Sequence, residues 1–184
     1  MSKITAAITA VGGYVPEYVL SNKILETMVD TNDEWITART GIKERRILKD
    51  KDKGTSFLAI QAAKNLLKKS NTDPKDIDMI IMATATPDMP VAVTGAYVAS
   101  QIGADNAFSY DLMAACSSFL FGMSVAAKYI ESGSYKKVLL VGADKMSSII
   151  DYKDRTTCII FGDGAGAALF EPNFEGLGVQ DEYL

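Results

Sequence analysis

The sequence predicts one α/β unit: a largely parallel β-sheet covered on both faces by helices. Apolar runs of strand length alternate with amphipathic stretches of helix length, the order that βαβ units produce. The run Met79–Ala83 is apolar throughout rather than alternating, as in a strand buried on both sides. At 184 residues, 48% hydrophobic and 23% charged, the chain can bury one sizeable core, and residues 1–184 are expected to form a single domain.

The elements follow in order. The opening "MSKITAAITAVGGYVP" mixes Thr with Ala and Ile and reaches Gly12, Gly13 and Pro16 without a convincing cleavage signal, so a first strand is expected rather than a signal peptide. Ser21 can cap a short helix through Val29, and Asn32 or Asp33 can cap another around Trp35, with Gly41 placed to end it. Thr55 opens a longer helix whose Leu58, Ala62 and Leu66 lie on one apolar face, with Lys68 and Lys69 at its C-terminal end. After the strand 79–83 come a helix over about 92–102, a strand ending near Met113, a helix from Cys116 to Ser132 and the strand "KKVLLVGA". "CIIFGDGAGAALFEP" reads as two short strands around a glycine turn, with Cys158 inert inside the first.

Charge and composition narrow the partners. The formal net charge is −4, which argues against nucleic acid, and the basic cluster "KERR" at 43–46, interrupted by Glu44, reads as a solvated edge. No run approaches the ~20 apolar residues of a membrane span. Cys116 and Cys158 are far apart and form no C-x-x-C pattern, so neither a disulfide framework nor a cysteine metal site is expected, and a cytoplasmic location is. The chain contains no histidine. A complete Cys–His or Ser–His–Asp arrangement cannot form within it.

Cys116 stands in "DLMAACSSFLFG", residues 111–122, where a strand gives way to a helix. Free amides at a helix N-terminus favour a thiolate, and the small neighbours Ala114, Ala115, Ser117 and Ser118 admit a sharp turn and a substrate carbonyl. A buried structural cysteine explains the position equally well. "GDGAGA" at 162–167 fits a dinucleotide fingerprint formally, but the helix that must follow is replaced by "ALFEP", so a tight turn is expected. Asp105 and Asp144 have no metal-like partners nearby in sequence. In "TNDEWITARTGIKERR" (31–46) the only tryptophan, Trp35, has Arg39 one helical turn beyond it. An indole beside a guanidinium can hold an adenine and a phosphate. From these residues alone, a core tryptophan and a surface ion pair is the plainer account.

Taken together, "MVDTNDEWITARTGIKERR", "DLMAACSSFLFG", "YKKVLLVGAD" and "DRTTCIIFGDGAGA" closely resemble, in this order and spacing, β-ketoacyl-acyl carrier protein synthase III, the initiating condensing enzyme of bacterial fatty-acid synthesis. The resemblance runs along the whole chain but covers only about the N-terminal half of the family's length. It implies a thiolase-like fold, of which this chain would be one βαβαβαββ half with a mostly parallel five-stranded sheet, and a homodimer. It implies that Cys116 accepts the acyl group from an acyl-CoA, with its backbone amide as one oxyanion donor. Trp35 and Arg155 match the residues that sandwich the CoA adenine, Thr31 the one that hydrogen-bonds that base, and Arg39 the one that meets a CoA phosphate. "GDGAG" matches a structural hairpin.

The same resemblance implies no permanently bound cofactor and no metal, with coenzyme A thioester as substrate and malonyl-acyl carrier protein as second substrate. Two departures stand out. The family's catalytic histidine and asparagine belong to its second half. Where many members carry Phe-Pro on the segment that reaches the partner's acyl pocket, this chain has Val91-Ala92. The expected activity is therefore that of a synthase III, with this chain an N-terminal fragment inactive in condensation alone. The alternatives are a non-catalytic half-length partner of a condensing enzyme, or a related thiolase-fold acyltransferase outside fatty-acid synthesis.

Overall fold

A computed structural model describes residues 4–183; of the span expected as one domain, residues 1–3 and 184 lie outside the described residues. Strand β1 (Thr5–Tyr14) is followed by an excursion of β2 (Tyr18–Ser21), α1 (Asn22–Leu25), α2 (Asp33–Thr40) and β3 (Glu44–Ile47). Then come α3 (Thr55–Ser70), β4 (Met79–Ala83), α4 (Thr94–Ile102), β5 (Phe108–Leu112), α5 (Ser118–Glu131), β6 (Val138–Lys145) and β7 (Asp163–Asn173). Without the excursion, whose β2 and β3 pair as a separate antiparallel ribbon, the order is βαβαβαββ, as expected.

The five-stranded sheet has the order β1-β7-β6-β4-β5. Strands β5 and β6 flank β4 in parallel, and β7 runs antiparallel to both β6 and β1, so β7 alone opposes the rest. The unbroken apolar run of β4 now has its reason. Ile80 and Met82 pack with Leu58, Leu66 and Val98 under α3 and α4, while Met79 and Ile81 pack with Ala126 and Ile130 under α5. A third, smaller core of Leu20, Leu25, Ile36, Ile47, Cys158 and Ile159 sits beneath the excursion.

Local signals held where a side chain could satisfy a helix end. The Ser21 hydroxyl accepts from the Ile24 amide, the Asn32 side chain accepts from the Trp35 amide, and Gly41 closes α2 with φ +70°. Two expectations are corrected. The glycines of "GDGAGA" do not turn the chain: β7 is one strand of 11 residues that pairs on both edges, Gly166 lying opposite both Gly13 and Gly142. Cys158, expected in a strand, lies in the turn region before it, though fully buried. Non-local pairing on both edges outweighed the turn propensity of glycine, a contest that local sequence does not display.

Candidate active site

The chain leaves β5 at Leu112 and reverses through Ala114 and Ala115. Ala115 has φ +47°, a left-handed conformation that costs a residue with a Cβ roughly 1–2 kcal/mol. The turn is braced from both sides: the Ala114 amide donates to the buried Ser118 hydroxyl at 2.6 Å, and the Ser117 amide donates to the Ala114 carbonyl at 3.1 Å. Cys116 is exposed at the centre of this 3-10 turn, Ala115–Ser117. The expected helix start at Cys116 is thus corrected by two residues; the α-helical part begins at Ser118.

Packing fixes the elbow to the sheet. A Cβ on Gly122 of α5 would stand 2.5 Å from a Leu140 methyl of β6, and one on Gly142 would stand 2.9 Å from the Phe119 ring, so the helix seats closer than any side chain would allow. The neighbouring strand ends are tied as well. One Asp144 carboxylate oxygen, at the end of β6, accepts from the Thr84 hydroxyl (3.1 Å), the Ala85 amide (2.8 Å) and the Thr86 amide (3.1 Å), while the Thr84 amide donates to the Leu112 carbonyl (3.2 Å). Asp111 of β5 accepts from the Thr94 and Gly95 amides at 2.7 and 2.9 Å, capping α4. The thiol therefore stands at the carboxyl end of parallel strands, where open α/β sheets place their sites.

A second constellation lies on the excursion. The half-buried Trp35 packs on the third core and carries two guanidinium groups, Arg39 at 4.3 Å and Arg155 at 4.9 Å from its ring centre. Arg39, expected either in a surface ion pair or near a phosphate, stacks on the indole. Arg155 also donates to the Asp30 carbonyl at 2.8 Å. The next residue, Thr31, has a buried hydroxyl that finds no protein partner among the described residues. A buried hydroxyl left unpaired is costly, and a ligand donor or acceptor would relieve it. Trp35, Arg39 and Arg155 are thus brought together, with Thr31 beside them in the chain; Cys116 stands on a different element.

Two residues of these regions escaped the sequence reading. Arg45, expected at a solvated edge, is only 4% exposed. Its Nε and Nη2 donate to the Ile159 carbonyl and its Nη1 to the Asn22 side chain. Asp163, buried within "GDGAGA", accepts from the Leu48 amide at 2.8 Å and from the Ser147 amide and hydroxyl at 2.8 and 2.6 Å. It locks the start of β7 to the chain beyond β3. Strand alternation across "ERRI" gave a signal for Arg45, since its position is in phase with Ile47. A cleft of about 520 Å³ lined by Tyr18, Leu20, Met28, Lys49, Lys145 and Tyr152 contains neither Cys116 nor Trp35.

Residues 110–182, which include Cys116 and Arg155, match the family model described as 3-oxoacyl-[acyl-carrier-protein (ACP)] synthase III. A curated relative, β-ketoacyl-[acyl-carrier-protein] synthase III 2 of Bacteroides thetaiotaomicron, is 54% identical over 184 residues, covering all of this chain and 55% of the relative. The synthase III of Chlorobium chlorochromatii is 57% identical over 167 residues, covering 91% of this chain and 51% of the relative. The crystal structure of 3-oxoacyl-[acyl-carrier-protein] synthase III from Aquifex aeolicus superposes with a TM-score of 0.87 at 45% identity, covering 90% of this chain and 53% of that one. The priming β-ketosynthase of the R1128 polyketide pathway superposes with a TM-score of 0.88 at 38% identity, covering 91% and 50%. The fold is thus the thiolase-like half that the motifs imply, and the chain spans about half the length of the curated relatives it matches. In sequence and in fold, this chain is similar to about half the length of the β-ketoacyl-[acyl-carrier-protein] synthase III family.

Proposed function

We propose that this chain carries the acyl-accepting half of a β-ketoacyl-acyl carrier protein synthase III site. CoA is held by its adenine between Trp35 and Arg155, with Thr31 bonding the base and Arg39 turning to a phosphate. The Cys116 thiolate attacks the thioester carbonyl of the acyl-CoA. The carbon–sulfur bond to CoA breaks, CoA leaves as its thiolate, and the acyl group rests on Cys116. Malonyl-acyl carrier protein then loses carbon dioxide, and its carbanion attacks the acyl-cysteine, expelling Cys116 as thiolate. A thioester intermediate suits cysteine, which is both a strong nucleophile and a good leaving group.

The observation that carries this reading is the exposed Cys116 in a strained, doubly braced turn at the carboxyl end of β5. Strain of this kind persists only where surrounding structure enforces it, and it collects at functional sites. The unpartnered Thr31 hydroxyl beside the Trp35 cluster supports the CoA assignment. The second reading is a protein that binds acyl-CoA without condensing it. Decarboxylation needs donors on the malonyl thioester oxygen, and losing even one typically costs ~10²–10³ in rate.

The test uses the full natural chain and the 184-residue chain in parallel, with acyl-CoA and malonyl-acyl carrier protein, following carbon dioxide release. The full natural chain should turn over and its Cys116→Ala variant should not; the 184-residue chain should release none. Turnover by the 184-residue chain would place the missing donors within it. Absence of turnover by a full natural chain that still binds acyl-CoA would favour the binding protein.

A further inference from the structure

We infer that Arg45 is a positioning residue for CoA: it holds the turn that carries Arg155 in register with the helix that carries Trp35. The inference rests on the reading of Trp35 and Arg155 as the CoA site, and it names a residue with no contact of its own to the ligand. From one buried guanidinium, Nε donates to the Ile159 carbonyl at 2.9 Å, joined there by Nη2, while Nη1 donates to the Asn22 side-chain oxygen. Ile159 stands four residues beyond Arg155 in the same turn region. Asn22, itself 1% exposed, passes the link on, donating to the Asp33 carboxylate at 2.7 Å and to the Ile42 carbonyl at 2.8 Å. Asp33 opens α2 two residues before Trp35.

The economy of this region is not that of an ordinary core. The guanidinium is bonded to the backbone of Ile159, a member of the third core, and among the described residues no carboxylate pairs with it. Burial holds its pKa below the usual arginine value, opposed by the neighbouring Cys158 and Tyr152. An aliphatic side chain would fill the space without desolvating a charge. What only the planar fork supplies is simultaneous, fixed-angle donation to two separate elements. The direct tie between them, Arg155 to the Asp30 carbonyl, involves the very side chain that must move when a base enters beside Trp35. The Arg45 relay does not depend on that side chain and so can keep the register through binding.

The experiment measures KM for acyl-CoA and for malonyl-acyl carrier protein, with kcat, in the full natural chain and in Arg45→Met, Arg45→Lys, Trp35→Ala and Trp35→Ala/Arg45→Met. Loss of charged hydrogen bonds should raise the acyl-CoA KM roughly tenfold in Arg45→Met, less in Arg45→Lys, with the carrier-protein KM within about twofold. In the Trp35→Ala background, adding Arg45→Met should raise the acyl-CoA KM far less than it does alone, because the residue acts through Trp35. A matched rise in both KM values, a fall in kcat with both KM values unchanged, or full additivity of the two changes overturns the inference. If Arg45→Met does not fold, Arg45→Lys, which keeps the charge, carries the same comparison. If Trp35→Ala raises the acyl-CoA KM and the Arg45 variants do not, the positioning role falls and the CoA site stands. If Trp35→Ala has no effect either, the CoA site itself is misassigned and the positioning role falls with it.

Discussion

Arg155 stands with its guanidinium carbon 4.9 Å from the centre of the Trp35 ring, and the same guanidinium donates to the Asp30 carbonyl. A base between them needs about 7 Å, two contacts of roughly 3.5 Å each. On the proposed reading, with the adenine between these two residues, Arg155 swings outward to admit it. Trp35→Ala should remove about 1–3 kcal/mol of stacking, a rise of roughly 5- to 150-fold in the acyl-CoA KM. Steady-state kinetics check this; an unchanged value would return Trp35 to a packing role.

The two thiols differ in access. Cys116 is exposed and Cys158 is fully buried, its pKa pushed up first by desolvation and then by Asp154. Only a thiolate alkylates readily. A limiting alkylating agent at neutral pH, followed by peptide mapping, should label Cys116 well ahead of Cys158. Equal labelling would mean that the turn before β7 opens as readily as the elbow.

Much of this was legible in the chain because it depends on local chemistry. The Ser21 and Asn32 caps, the Gly41 stop, the length of α3 and the bounds of β4 are each set within a few residues. What was not legible depends on distant partners. Arg45 looks solvated beside Lys43, Glu44 and Arg46, and the partners that hold it buried, the Ile159 carbonyl and the Asn22 side chain, lie 114 and 23 residues away. The glycines of β7 look like a turn until β1 and β6 bracket them. Asp144 was left without a role because its partners, Thr84 to Thr86, lie about 60 residues upstream. The role of Cys116 was open from its neighbours and is proposed from the family motifs; its exposure in a strained turn came from the structure.

Gly12 tests the packing of β1 on α3. A Cβ there would stand 2.5 Å from the Leu66 backbone nitrogen and 2.6 Å from the Ala62 carbonyl oxygen, neither of which can turn aside as a side-chain tip can. Gly12→Ala should destabilise by roughly 1–3 kcal/mol. At about 2–4 °C per kcal/mol for a chain of this size, the melting temperature should fall by several degrees. Gly166→Ala, with open space around its added Cβ, is the control and should be nearly neutral. Equal effects at the two sites would contradict the close approach.

Asp33 gives the excursion a pH dependence. Its pKa lies below the ordinary aspartate value of 3.8, chiefly because the Asn22 amide donates to it, with Thr37 assisting. A depressed carboxylate contributes stability that is full above the ordinary value and is lost as pH falls through the folded one. The stability advantage of the unmodified chain over Asp33→Asn should therefore hold near neutral pH and shrink below about pH 4. Chemical denaturation at several pH values measures it. A gap that stays constant into acid would mean that the charge on Asp33 is not what the Asn22 amide holds.

The most direct measurement is the mass of the protein after incubation with acyl-CoA alone, followed by peptide mapping. The expected result is a single acyl increment on the peptide bearing Cys116, released by hydroxylamine as a thioester should be, and absent from Cys116→Ala. No increment on Cys116 in protein that binds acyl-CoA, or an increment on Cys158 in its place, would contradict the assignment of Cys116 as the acyl acceptor.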